Sequence, residues 1–185
     1  DESIDTVQSG ELGFQFGLYW PRYVYGLLVR ELAAQGAKAV AFDVIFGGLR
    51  ADHASFPVSD KSLLAIDKLF GRTLDRFEDR TLLPSDDFFA WQMKKAGKVI
   101  VADTKSVAPH DLFRTNALAV GAIDADKDAD GVLRRARAFK LRWHPVFQAT
   151  TRQLGIDLEK SRIERNRILL RAPDGKDMSV PLDDQ

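Results

Sequence analysis

The chain has 185 residues, 45% of them hydrophobic, with 27 Lys and Arg balancing 27 Asp and Glu. That is enough apolar material for one sizeable core, and a net charge of zero supplies no general field for drawing in nucleic acid or an anionic membrane surface. The lack of cysteine removes disulfides, thiol catalysis and cysteine-based zinc sites together, and no run reaches the roughly 20 apolar residues that span a bilayer.

The first element opens at Trp20-Pro21-Arg22. Trp20, Tyr23, Val24, Leu27, Leu28 and Leu32 recur at steps of three and four, the period of one helix face. Pro21 suits a first turn and Gly36 a C-terminal cap, so the pattern predicts a helix over about 21–35. Lys38–Ile45 follows at once, with Ala39-Val40-Ala41-Phe42 as a short continuous apolar run. Such a run after a helix predicts a strand buried on both faces, as in a parallel sheet flanked by helices. The strand that would precede the helix is expected either in Ile4–Val7 or before Asp1.

Gly47–Phe56 reads as a loop, and Ser59–Phe70 can form a helix on Leu63, Leu64, Ile66, Leu69 and Phe70. Gly71–Leu83 is charged and irregular. Pro84-Ser85-Asp86-Asp87 starts a helix with Ser85 as the expected cap and two acids at its positive end; Lys94, Lys95 and Gly97 close it. Val99–Ala102 is the next buried strand. Ala117–Ile123 and Val132–Trp143 flank the Asp/Gly-rich stretch 124–131 and predict a hairpin. Val146–Leu154 reads as a short helix. Ile168–Arg171 and Met178–Pro181 flank Ala172-Pro173-Asp174-Gly175, a second hairpin. Together these predict a single α/β domain over 1–185, with a mixed central sheet, helices on both faces and a β-hairpin in the C-terminal half.

Some residues carry possible chemistry. Asp43 ends a buried strand, where open α/β sheets place ligands. It is expected either to anchor a polar ligand or cation, or to pair with a loop or an arginine inside the domain. Arg22 and Arg134 can grip an anion through a bidentate fork, or form internal salt bridges to Asp43 or Asp130. Asp126, Asp128, Asp130 and Gly131 match positions one, three, five and six of a calcium-binding EF-hand loop, but position twelve is Arg137 where a glutamate is needed. The plainer reading is a tight turn whose carboxylates cap backbone amides. His53, His110 and His144 are scattered, without zinc spacing. The serines lie in no nucleophile elbow, and no glycine-rich phosphate loop occurs. Trp20, Tyr23 and Phe46 either line a pocket or pack inward, as aromatic stripes mostly do.

Four stretches in order carry a family likeness: Trp20-Pro21-Arg22; Gly36-Ala37-Lys38-Ala39-Val40-Ala41-Phe42-Asp43-Val44-Ile45-Phe46; Gly121 with Asp128-Ala129-Asp130-Gly131-Val132-Leu133-Arg134-Arg135; and Val180-Pro181-Leu182-Asp183. In these the chain resembles the second type of CHASE domain, the sensors associated with cyclases and histidine kinases. The resemblance implies a sensor on the periplasmic or extracellular side of the cytoplasmic membrane, trimmed here at both ends and flanked in its parent protein by transmembrane helices. It implies a bacterial receptor with a cyclase or kinase inside, a small-molecule, ion or protein signal, and homodimeric assembly. No cofactor is expected beyond the calcium reading, and no nucleic acid partner. Two alternatives remain open at this point: a small α/β enzyme using Asp43 with Asp128 or Asp130, and a ligand-free dimerisation module.

Overall fold

The computed structural model describes residues 20–53, 55–58, 76–77, 80–125, 129–131, 138–139 and 142–182. The expected strand near Ile4–Val7, the helix over Ser59–Phe70 and most of the run Val132–Trp143 lie outside the described residues.

The described chain is α/β, and its parallel and antiparallel pairings are divided among three small sheets. Helix α1 (Arg22–Ala34) leads into strand β1 (Val40–Ala41). Strands β2 (Phe56–Val58), β3 (Arg76–Phe77) and β4 (Arg80–Leu83) form an antiparallel sheet in the order β2-β4-β3. Helix α2 (Ser85–Ala96) then feeds β5 (Val99–Asp103), and the short helix α3 (Asp111–Asn116) leads to β6 (Ala119–Ala122). Strands β1, β5 and β6 make a parallel sheet with β5 at its centre. Helix α4 (Pro145–Gln153) precedes β7 (Arg162–Ile163), β8 (Arg167–Arg171) and β9 (Asp177–Pro181), which close the molecule as an antiparallel sheet.

Helix α1 ends as its glycine suggests. The Gly36 amide bonds to the Ala33 carbonyl and the Ala37 amide to Leu32, the paired bonds of a Schellman motif. Ala37 and Leu32 both pack on the main core, the apolar contact that accompanies such an end. Helix α2 closes at Gly97, which is left-handed at φ 62°.

Every residue of β5 is buried, because the strand is central and both of its faces are covered. Val99 and Val101 join Val40, Phe42 and Phe46 against Val29 of α1, Phe89, Ala90 and Met93 of α2, and Phe113 of α3. The rings of Tyr25, Phe42, Phe46, Phe89 and Phe113 meet with centroids 4.9 to 5.9 Å apart. That spacing is the favourable range for edge-on and tilted aromatic pairs. Helix α4 packs against β1, β5 and β6. A second cluster joins Leu83 and Phe88 to Tyr23, Leu27, Phe56 and Trp91, and a third packs Ile156 with Ile168 and Leu170 of β8.

The segment read as a strand over Lys38–Ile45 pairs only at Val40–Ala41. Among the described residues β1 stands at the edge of its sheet; the Phe42 amide still donates to the Ile100 carbonyl, and Phe46 further on is fully buried. β6 pairs in parallel with β5, and most of the second strand of the hairpin expected around 124–131 lies outside the described residues. Among the described residues the returning chain meets β6 through the Ala122 amide, which donates to the Trp143 carbonyl, and through Gln148 Nε2, which donates to the Val120 carbonyl. The second hairpin forms over Arg167–Arg171 and Asp177–Pro181, in register from Arg167–Pro181 to Arg171–Asp177.

Gly121 sits where the start of α4 crosses β6. A Cβ there would meet the Pro145 ring at 2.6 Å and its nitrogen at 2.8 Å. Gly121→Ala should therefore cost about 2 kcal/mol through overpacking, since the obstacle includes backbone. Chemical denaturation should show the loss with an unchanged m-value.

Candidate functional site

The site is built where the N-termini of α1 and α2 converge with the loop that follows β1. Each helix has a proline at its N-cap, Pro21 and Pro84, with extended dihedrals and no side chain able to accept a hydrogen bond. The exposed amides of α1 are met from elsewhere in the chain. The Arg22 amide donates to His53 Nδ1 at 3.2 Å, and the Tyr23 amide donates to Ser85 Oγ at 2.7 Å. Ser85 was expected to cap its own helix; it is the first residue of α2 and caps α1, across 62 positions of sequence.

Asp86 follows in the first turn of α2 and is buried. Its Oδ2 accepts from the Arg50 amide at 2.6 Å, and its Oδ1 lies 3.6 Å from Arg22 Nε. That separation is an ion pair but not a hydrogen bond; Arg22 Nε and Asp86 Oδ1 have no hydrogen-bond partner among the described residues. The guanidinium lies 4.5 Å from the centroid of Phe46, with Phe113 and Tyr25 at 5.8 and 5.9 Å. Burial lowers the Arg22 pKa from its ordinary value, against the opposing pull of Asp86. Aromatic faces and one carboxylate thus replace the water this cation has lost.

His53 is tied into the same loop, where Arg50 grips Asp52 through Nε and a terminal nitrogen at 2.9 and 2.8 Å. Burial, then the Arg50 charge, pushes His53 below the ordinary histidine range. The sign is definite: stability is full when His53 is neutral and is lost as pH falls from about 6.5, the unfolded value, through the lower folded one. Protonation at Nδ1 removes the acceptor for Arg22 and sets a cation at a positive helix end. Melting temperature should drop across that window, and His53→Asn, which keeps an acceptor without titrating, should flatten the drop. The other histidines serve alike: His110 Nδ1 accepts from the Leu112 amide at the start of α3, and His144 Nδ1 from Val146 at the start of α4.

A second charged group lies at the carboxyl end of the parallel sheet. Asp103 closes β5, is buried, and pairs with half-exposed Arg142. Asp124, just past β6, accepts from the Lys105 amide through both oxygens at 3.2 Å. Asp43 is exposed beyond β1 and has no hydrogen-bond or ion-pair partner among the described residues.

Arg22, Asp43, Asp130 and Arg134 are the four candidates for holding a ligand; Arg22 is held by Asp86 rather than by Asp43 or Asp130. Asp43 and Asp130 are exposed, and Arg134 lies outside the described residues. Asp126 and Asp128 also lie outside them, and Gly131 turns at φ 79°. The described residues contain no group of three or more His, Asp or Glu suited to a metal ion. In the aromatic set, Phe46 is fully buried, Tyr23 is half-buried on the second core cluster, and Trp20 is 38% exposed. Asp86 and Asp103 were not singled out, although Asp103 ends an apolar run just as Asp43 does. The arrangement positions helix ends and buries a charge pair.

No helix among the described residues is long and apolar enough to cross a membrane. Comparison with curated proteins and with solved structures returns no match. One family model matches the chain, that of the CHASE2 domain, over residues 1–184. This family consists of extracellular sensor domains rather than catalytic ones. With a match of that extent, and with the Trp-Pro-Arg helix start, the Phe42-Asp43 strand end and the Gly121 crossing each given a place in the fold, the chain belongs to the CHASE2 domain family.

Proposed function

We propose that this chain is the extracytoplasmic sensor domain of a bacterial transmembrane receptor, coupled to a cyclase or kinase on the other side of the membrane. The family match over residues 1–184 carries this reading. The domain works as a homodimer between flanking membrane helices and responds to a small-molecule, ion or protein signal. Its task is differential: the signal must bind one packing of the domain better than another, because equal affinity shifts nothing.

The knot of Arg22, His53, Ser85 and Asp86 supports such a role. It fastens the point where the chain enters α1 to both α2 and the loop after β1. A change of packing there acts on a helix end held by two hydrogen bonds and an ion pair. The test is the output of the full-length receptor in membranes. His53→Ala, which removes the acceptor for the Arg22 amide, and Arg22→Met, which removes the buried cation, should displace basal cyclase or kinase output while membrane insertion is kept. Output identical to wild type in both variants contradicts the coupling.

A further inference from the structure

The amino end of the parallel sheet holds an open cavity of about 800 Å³. This is the end opposite Asp43 and Asp103, and none of the residues singled out above lines it. The volume lies within the range of small-molecule sites. Ile100 of β5, Leu118 and Ala119 at the start of β6, and Ile156 give it an apolar floor. The cations Lys38, Lys98 and Arg152 line it as well, each from a different element: Lys38 precedes β1, Lys98 precedes β5, and Arg152 ends α4.

The charges are not balanced inside the cavity. Lys38 and Arg152 are exposed and have no acidic partner among the described residues, and Lys98 Nζ reaches only the Ala37 carbonyl at 2.9 Å. Of the two acids at the rim, Asp157 is engaged: its Oδ1 accepts from the Glu159 amide, and its Oδ2 lies 3.4 Å from Lys160. Among the described lining residues, Glu159 is the acid whose carboxylate has no hydrogen-bond or ion-pair partner, against the three cations Lys38, Lys98 and Arg152. Cations fixed around a partly apolar concavity favour a ligand with a negative head and a hydrocarbon body, because each part meets its complement on closing out water.

We propose that this cavity binds a small organic anion, a carboxylate or phosphate on an apolar body, and that this is the class of signal the domain reads. The second clause rests on the sensor role proposed above; binding itself rests on the cavity alone.

The probes are octanoate, octyl phosphate and octylammonium, below their micelle concentrations, with inorganic phosphate as a fourth arm. They are titrated into the isotope-labelled chain and followed by amide chemical shifts. Octanoate, octyl phosphate or both should shift the amides of Lys98, Ala119 and 155–159 saturably, and the better of the two names the head group. Octylammonium should leave these amides unmoved, and inorganic phosphate should bind at least tenfold more weakly than octyl phosphate. Lys38→Glu with Arg152→Glu should weaken the binding at least tenfold; both side chains are exposed, so an unchanged spectrum elsewhere verifies the fold. The proposal is overturned by absence of saturable shifts for both anions, by equal response to octylammonium, or by undiminished affinity in the charge-reversed chain. None of these results bears on which side of the membrane the domain occupies, so the sensor reading is tested separately.

Discussion

Phe46→Ala should lower the stability of the domain by about 4 kcal/mol, the usual cost of emptying a fully buried phenylalanine site. For a chain of this size that corresponds to a fall in melting temperature of roughly 12 °C. The ring is completely buried and touches the rings of Tyr25, Phe42, Phe89 and Phe113. It also carries the Arg22 guanidinium on its face, so its loss leaves a cavity and removes a support for a buried cation. Phe46→Leu keeps much of the volume without the π face and should recover more than half of the loss. Thermal and denaturant unfolding of both variants measure this directly, and equal stability of Phe46→Ala and wild type contradicts the packing.

Asp86→Ala comes second, at about 3 kcal/mol, because it strands the Arg22 charge in the interior. The Arg50 amide loses its acceptor in the same step. The pair itself need not be strongly stabilising: it is buried, separated by 3.6 Å, and lacks a hydrogen bond between Nε and Oδ1. Removing both charges should therefore cost less than the sum of the single changes. A double-mutant cycle of Arg22→Met and Asp86→Ala should give a coupling of at least about 1 kcal/mol. Additive losses would show that the two side chains do not sense each other.

Local rules made much of the fold legible. The stripe from Tyr23 to Leu32 with Gly36 behind it gave α1 to within a residue at each end, and Gly97 marked the end of α2 as a left-handed position. The Val99–Ala102 run and the Ala172–Gly175 turn were equally plain, because neighbouring residues decide them. What could not be read was which strand takes the centre of the sheet. Ala39–Phe42 and Val99–Ala102 look alike as sequence, and each ends in an aspartate. Among the described residues the order β1-β5-β6 makes β5 central, with Asp103 buried and Asp43 exposed.

The candidate site divides in the same way. Arg22 was visible from its place in the Trp-Pro-Arg motif. Its partners were not, because Ser85, Asp86 and His53 reach α1 from 31 to 64 positions away. The proline at each N-cap was a usable sign: a cap that offers no side chain leaves amides for another segment to satisfy. The cationic cavity is harder still to foresee, since Lys38, Lys98 and Arg152 are far apart in the chain and ordinary in composition.

The most direct test of the account uses the lack of cysteine in this chain. In the full-length protein, with any cysteine elsewhere replaced, Asp43→Cys and Met178→Cys each place one thiol at an exposed position. A membrane-impermeant maleimide is then applied to cells whose outer envelope is opened while the cytoplasmic membrane stays intact. An extracytoplasmic sensor predicts that both positions are labelled as fully before lysis as after it. Labelling that appears only after lysis contradicts the assignment.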